Sequence, residues 1–183
     1  MGEPPVNRLT PSQTVGPYFH LGLDWPHAQR LVDEHTPGQR LLLTGHVLDG
    51  EGAAVPDALI EIWQADARGH YAPPGAPGFR GFGRAAVDGD GRYAFETIRP
   101  GAVADPLGPL APHVNVAVFA RGLLTHLYTR LYFADEATAN AADPVLARVP
   151  AARRETLLAH HDGDAWVFDI RLQGLHETVF LDV

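Results

Sequence analysis

"APHVNVAVFA", residues 111–120, is the stretch that decides the fold. His113 and Asn115 lie two apart in a run that otherwise reads as a β-strand, so both side chains leave the same face. His-x-His at that spacing would give one metal two imidazoles, but here the second position holds an amide. Polar groups buried inside an apolar strand need partners. Residue chemistry alone leaves two readings open: a weak metal site, or a hydrogen-bonded pair in the core.

Similar short runs surround it, separated by turn signals. "LLLTGHVLD" (41–49) leads through the loop "GEGAAVPD" to "ALIEIWQAD" (58–66). "GRAAVD" and "RYAFETI" flank Gly-Asp-Gly at 89–91, which predicts a hairpin turn. "HVNVAVFA" and "HLYTRLYF" are joined across "RGLLT", while "AWVFDIRLQG" and "ETVFLDV" form a final pair. Many short strands with Gly and Pro punctuation predict an all-β fold, a β-sandwich of mainly antiparallel strands over 41–183. Residues 1–40, with many Pro, Gly and Gln and little periodicity, read as an irregular N-terminal arm. Only "DPVLARVPAARRETLLAHH", 143–161, reads as helical, as one or two short helices divided at Pro150.

Composition excludes several chemistries. The 183 residues suit one domain with a real core, and a formal charge of −8 argues against nucleic acid and against an anionic membrane surface. All 14 basic residues are arginine, so there is no Schiff-base or P-loop lysine. The absence of cysteine removes thiolate nucleophiles, zinc-thiolate and iron–sulfur sites, and disulfides. The single serine, Ser12, sits in the arm, away from any strand-to-helix elbow, which disfavours Ser-His-Asp hydrolysis. "MGEPPVNRLT" lacks a signal-peptide core and no apolar run spans a bilayer, so the expectation is a cytoplasmic protein.

Smaller constellations read more plainly. "DGDG" (88–91) lacks the further oxygen ligands of a calcium loop and reads as a tight turn. His160 and His161 read as imidazoles at a helix C-terminus. Tyr18 with His20, and His126 with Tyr128, have strand spacing and donor types that suit ferric iron, but such pairs are also common on half-exposed strand faces. Tyr71 sits in the Gly/Pro-rich loop "GHYAPPG", just after the strand "IEIWQAD".

Six segments in order resemble the intradiol ring-cleavage dioxygenases: "TPSQTVGPYFHLGL", "IEIWQADARGHY", "GRYAFETIRPG", "APHVNVAVFARG", "HLYTRLYFADE" and "FDIRLQGLHETVFLDV". Within that family the pattern is most similar to the α chains of the members that cleave protocatechuate with paired α and β subunits. The resemblance covers essentially the whole chain and implies a β-sandwich. Catalytic chains of the family hold a non-haem ferric iron through two tyrosines and two histidines. Tyr71 matches the first tyrosine, but Val103 stands where the second is expected, two residues beyond Pro100-Gly101. His113 matches the first histidine, Asn115 replaces the second, and Leu110 replaces an arginine expected just before them.

With two of four ligands gone, the resemblance implies a chain with no catalytic residues and no metal of its own. It would be the α subunit beside an iron-bearing β subunit, in a higher oligomer of α–β units that takes a small aromatic substrate and O₂. The arm, 1–40, is then expected to pack on the partner subunit. By the same resemblance Thr14, Gly16, Pro17 and Arg121 wall the substrate pocket of the β chain. The chemistry suits this: glycine permits close approach, proline is rigid, and a guanidinium attracts an anionic carboxylated catechol. Without the resemblance, Arg121 reads as one half of a strand-end salt bridge. The rival readings are a stand-alone β-sandwich binding module that has lost its activity, and a self-sufficient dioxygenase with an unusual ligand set.

Overall fold

A computed structural model describes residues 10–16, 18–23, 25–73 and 78–182. Among the described residues nine strands carry the fold: β1 (Arg40–Leu48), β2 (Leu59–Gln64), β3 (Phe82–Ala86), β4 (Arg92–Ile98), β5 (His113–Phe119), β6 (Leu127–Phe133), β7 (Leu158–Asp162), β8 (Ala165–Val167) and β9 (Ile170–Arg171). They follow the order β3-β2-β5-β6-β7-β8-β1-β4, with β9 on β1. The pairings of β1 with β4, β2 with β3 and β5, and β5 with β6 are antiparallel. β7 joins the two layers of the sandwich, running antiparallel to β8 and parallel to β6 through Tyr132 with Leu158 and Phe133 with Ala159.

Period-two alternation explains the core. Val114, Val116 and Val118 of β5 face inward with Ile60, Ile62 and Leu131, against Leu43, Val47, Phe95, Trp166 and Phe168 from the other layer. Burying each such side chain contributes about 1.5–3 kcal/mol. The opposite face of β5 begins with His113, which would meet solvent on a bare sandwich. It is covered by a second cluster, Ala111, Tyr132, Leu146, Val149 and Leu157.

Several local expectations change. The turn at 88–91 forms, with Gly91 N–H donating to Asp88 O and the Asp88 carboxylate accepting from the amides of Asp90 and Arg92. Its flanking strands then diverge, β3 to β2 and β4 to β1, because the chain crosses between layers there. The C-terminal segment meets the segment before it only at Thr178, whose N–H donates to Arg171 O and whose Oγ1 accepts from Arg171 N, and forms no ladder with it. It bridges to β6 instead, between Tyr128 and Leu181.

The region 143–161 does divide at Pro150, but into two short 3-10 stretches, Leu146–Arg148 and Ala151–Leu157. The α-helices lie elsewhere, at α1 (Phe19–Leu23) and α2 (Ala137–Ala142). His160 and His161 are therefore strand residues and cap no helix. His160 pairs with Glu155 at 2.9 Å, and the His161 ring lies edge-on to Trp166.

Part of the arm packs on this chain's own sandwich. Ala28 O accepts from Arg84 N of β3, while Gln29 O accepts from Glu96 N of β4 and Leu31 N donates to Glu96 O. Residues 28–31 thus tie together the two end strands of the path. Among the described residues, no helix is long and apolar enough to cross a membrane.

Candidate functional site

Two loops and two strands build the site. At the end of β2, buried Gln64 donates to Ile98 O and accepts from Thr97 Oγ1, fixing the strand end against β4. The loop that follows is wound around Asp66, whose carboxylate accepts from the amides of Arg68 and His70. Asp66 O accepts from both Gly69 N and Gly101 N, so the Tyr71 loop and the Pro100-Gly101 loop share one anchor. Gly69 has φ +83°, and a Cβ there would stand 1.9 Å from Ala102 O. Only glycine lets the loops approach this closely. Val103 follows and forms a bridge with Leu110.

The strand register completes the constellation. Asn115 stands opposite Arg130, and His113 opposite Tyr132. Tyr71, Val103 and Asn115 line one cavity of about 600 Å³, together with Trp63, Leu110 and Arg130 among others. His113 lies directly behind Tyr71, with Nε2 3.1 Å from Tyr71 Oη. The four positions singled out by the resemblance are brought together, and the two apolar replacements, Val103 and Leu110, face each other.

The polar groups form one directed chain. His113 Nδ1 lies 2.7 Å from Ala111 O, which can only accept, so Nδ1 carries the proton and Nε2 offers a lone pair. The Tyr71 hydroxyl donates to that lone pair and accepts from Asn115 Nδ2 at 2.8 Å. Asn115 Nδ2 also donates to Trp63 O, and Asn115 Oδ1 accepts from Arg130 Nε at 2.8 Å. The order is Arg130 to Asn115 to Tyr71 to His113 to the Ala111 carbonyl. Behind it, Tyr132 Oη donates to the buried Asp143 carboxylate, which also accepts from Ala111 N, Val145 N and Leu146 N.

The electrostatics agree with this assignment. Burial, reinforced by the Arg130 charge, pushes the His113 pKa down to about 4, against the opposing pull of the Ala111 carbonyl and Asp143. Burial also raises the Tyr71 phenol above its ordinary value, although the Asn115 bond and Arg130 charge work the other way. Both groups are neutral at pH 7.

Ferric iron does not fit these donors. It would need a free imidazole nitrogen and ionised oxygens, whereas the His113 lone pair is taken by Tyr71 and that phenol is protonated. Val103 has no donor atom, and the Asn115 amide is committed on both sides. Among the described residues, no group of three or more His, Cys, Asp or Glu side chains is arranged to hold a metal ion.

Of the other predicted residues, Thr14, Gly16 and Arg121 lie toward the far end of β5, about 25 Å away by strand rise. Gly122 N donates to Thr14 Oγ1 at 2.8 Å, bringing the arm against the loop that carries Arg121. Gly16 lies close by in the chain and its carbonyl accepts from Phe19 N; Pro17 lies outside the described residues. Arg121 pairs with Asp57, and its side chain remains 66% exposed. Of the other candidate pairs, Tyr18 is exposed and the side chain of His20 lies outside the described residues, while the His126 ring meets Tyr128 edge-on and stacks on Phe119. Arg130 and Asp143 escaped the sequence reading. "LYTRLYF" carried a signal for Arg130, because a hairpin with β5 places it on the face shared by Asn115.

A dioxygenase family profile matches residues 15–174. The chain belongs to the intradiol ring-cleavage dioxygenase family. Among its relatives within that family, it is 47% identical to a protocatechuate 3,4-dioxygenase alpha chain of Pseudomonas putida, over 94% of this chain and 96% of that one. It is 44% identical to the alpha chain of Burkholderia cepacia, over 96% and 98% of the two. The beta chain of Burkholderia cepacia is 35% identical, over 77% of this chain and 67% of that one. Among solved structures, the dioxygenase domain of a dioxygenase carbohydrate-binding protein fusion from Streptomyces sp. SirexAA-E superposes with a TM-score of 0.60 at 30% identity, covering 90% of this chain and 98% of that chain.

Proposed function

We propose that this chain is the non-catalytic α subunit of a protocatechuate 3,4-dioxygenase. Its β partner holds ferric iron and cleaves protocatechuate between its hydroxylated carbons, inserting both atoms of O₂ to give 3-carboxy-cis,cis-muconate. The observation that carries the reading is the closed hydrogen-bond chain at Tyr71, His113 and Asn115, which consumes the atoms a metal would use. Similarity to two alpha chains over nearly their whole length supports it. The α–β oligomer, the iron on the β subunit and a cytoplasmic setting belong to the same proposal.

In this reading the chain's own contribution is binding and orientation. The arm and the loop after β5, joined through Thr14 and Gly122, form a wall for the partner's pocket. Gly16 and Pro17 supply a close, rigid surface, and Arg121 supplies positive charge toward the substrate carboxylate. Its pairing with Asp57 fixes the guanidinium while leaving much of it exposed.

The test is to purify the chain alone and co-expressed with a β chain, then measure iron content and protocatechuate-dependent O₂ uptake. Neither should be found in the lone chain, and both in the complex. In the complex, Arg121→Ala should raise KM for protocatechuate with iron content unchanged. Stoichiometric iron and activity in the lone chain would overturn the reading. Failure to assemble with any β chain would favour a stand-alone binding module.

A further inference from the structure

We propose that Tyr71, His113 and Trp63 form a radical trap, in which a one-electron oxidant of the peroxyl-radical class draws its electron through Trp63 from Tyr71. The bonds around Tyr71 carry it, independently of the function proposed above. A phenol gives up an electron readily when its proton has a base to move to in the same step, because the oxidised phenol is a strong acid. Tyr71 Oη lies 3.1 Å from His113 Nε2, whose lone pair faces it because Nδ1–H is held by Ala111 O at 2.7 Å. The bond from Asn115 Nδ2 to Tyr71 Oη, at 2.8 Å, stays in place and stabilises the oxygen of the radical. Two charges bear on the imidazolium that forms: Asp143 favours it and Arg130 opposes it. The buried phenols Tyr93 and Tyr132 lack this arrangement. Tyr93 donates to the Phe168 carbonyl, which takes no proton, and Tyr132 to an Asp143 carboxylate already held by three amides.

Trp63 supplies the route to the surface. Its ring centroid lies 6.3 Å from that of Tyr71, a gap an electron crosses quickly by tunnelling, and the residue is 43% exposed. Asn115 Nδ2 donates to both Trp63 O and Tyr71 Oη, so one amide holds relay and phenol in the same frame. One electron passes from Trp63 to the peroxyl radical, which takes a solvent proton and becomes a hydroperoxide. Tyr71 refills the vacancy on Trp63 while its proton crosses to His113 Nε2. A neutral tyrosyl radical then stands beside an imidazolium. An enediol reductant of the ascorbate class returns the electron, and His113 returns the proton.

The test uses the full chain without a β subunit, carrying Tyr18→Phe and Tyr128→Phe to remove the exposed phenols. Flash-generated ruthenium(III) tris-bipyridine is the oxidant, and transient absorption follows the radicals. A tryptophanyl radical should appear first and decay as a neutral tyrosyl radical grows, more slowly in D₂O than in H₂O. Tyr71→Phe should abolish the tyrosyl signal and prolong the tryptophanyl one. His113→Gln, which offers no base, should slow tyrosyl formation at least about a hundredfold, the low end of what a positioned base contributes. Trp63→Phe alters an exposed ring, keeps the Tyr71 bonds, and should lower the tyrosyl yield. It keeps the test decisive if circular dichroism shows that Tyr71→Phe folds poorly. An undiminished tyrosyl signal in Tyr71→Phe or Trp63→Phe overturns the proposal. So do equal rates in His113→Gln, equal rates in D₂O and H₂O, or no tyrosyl radical at all.

Discussion

Acidification should expose the cost of keeping His113 neutral. An imidazole ordinarily protonates near 6.5, and here burial and the Arg130 charge hold it down to about 4. In the unfolded chain the ordinary value returns, so the unfolded state binds this proton more readily. The stability is therefore fully present above about pH 6.5, declines as pH falls, and is lost below about pH 4. The difference corresponds to about 3 kcal/mol, since each pKa unit is worth about 1.4 kcal/mol. Urea unfolding between pH 7 and 4 should show that decline. The slope should flatten in His113→Gln, which is less stable at pH 7 but has no proton to bind. Direct titration of the His113 ring by NMR provides a second readout. A ring that protonates above about pH 6 in the folded chain, or equal pH slopes in the two proteins, would refute the assignment of a neutral, lone-pair-accepting His113.

Tyr71→Phe removes the hydroxyl that donates to His113 Nε2 and accepts from Asn115, leaving a buried acceptor unmatched. A cost of about 2 kcal/mol is expected, read as a fall in Tm of about 4–8 °C for a chain of this size; a fall under about 1 °C would remove Tyr71 from the chain of bonds. Gly69→Ala should prevent formation of the site and reduce soluble protein, because its Cβ would collide with Ala102 O. Gly122→Ala, also at positive φ but with nothing within 4 Å, should cost only about 1–2 kcal/mol, and similar losses in the two would argue against the loop contact. Val103→Tyr combined with Asn115→His should let the chain take up ferric iron, seen as a phenolate charge-transfer band in the visible. A colourless double variant that remains folded would mean that the two loops do not converge as described.

The strands were legible because one face of each is apolar, and period-two alternation survives any tertiary context. Asn115 and His113 were legible as a same-face pair for the same reason. Arg130 was not, since a charged residue in mid-strand reads as solvent-facing until the cross-strand register places it opposite Asn115. The region 143–161 misled through propensity. Its alanines, leucines and arginines favour helix. Yet Leu158 and Ala159 pair in parallel with β6, a non-local contact that no local pattern announces. Val103 was identified only by its place in a family pattern, because an isolated valine after Pro-Gly-Ala carries no chemistry of its own.

The residue type at 115 is what lets the site close on itself. Its neighbours impose opposite demands: Arg130 Nε needs an acceptor, while Tyr71 Oη and Trp63 O need donors. An amide meets both demands, with one oxygen and two N–H groups on a single plane. A carboxylate would satisfy Arg130 but offer nothing to Tyr71. An apolar side chain would leave Arg130 Nε without its acceptor. Near a bound cation a buried phenol ionises; with no cation, burial drives it the other way and the phenol must find an acceptor for its proton. His113 supplies that acceptor only because its Nδ1–H is held by the Ala111 carbonyl. Asn115 thereby holds Tyr71 and His113 in one arrangement, since each member fixes the protonation of the next.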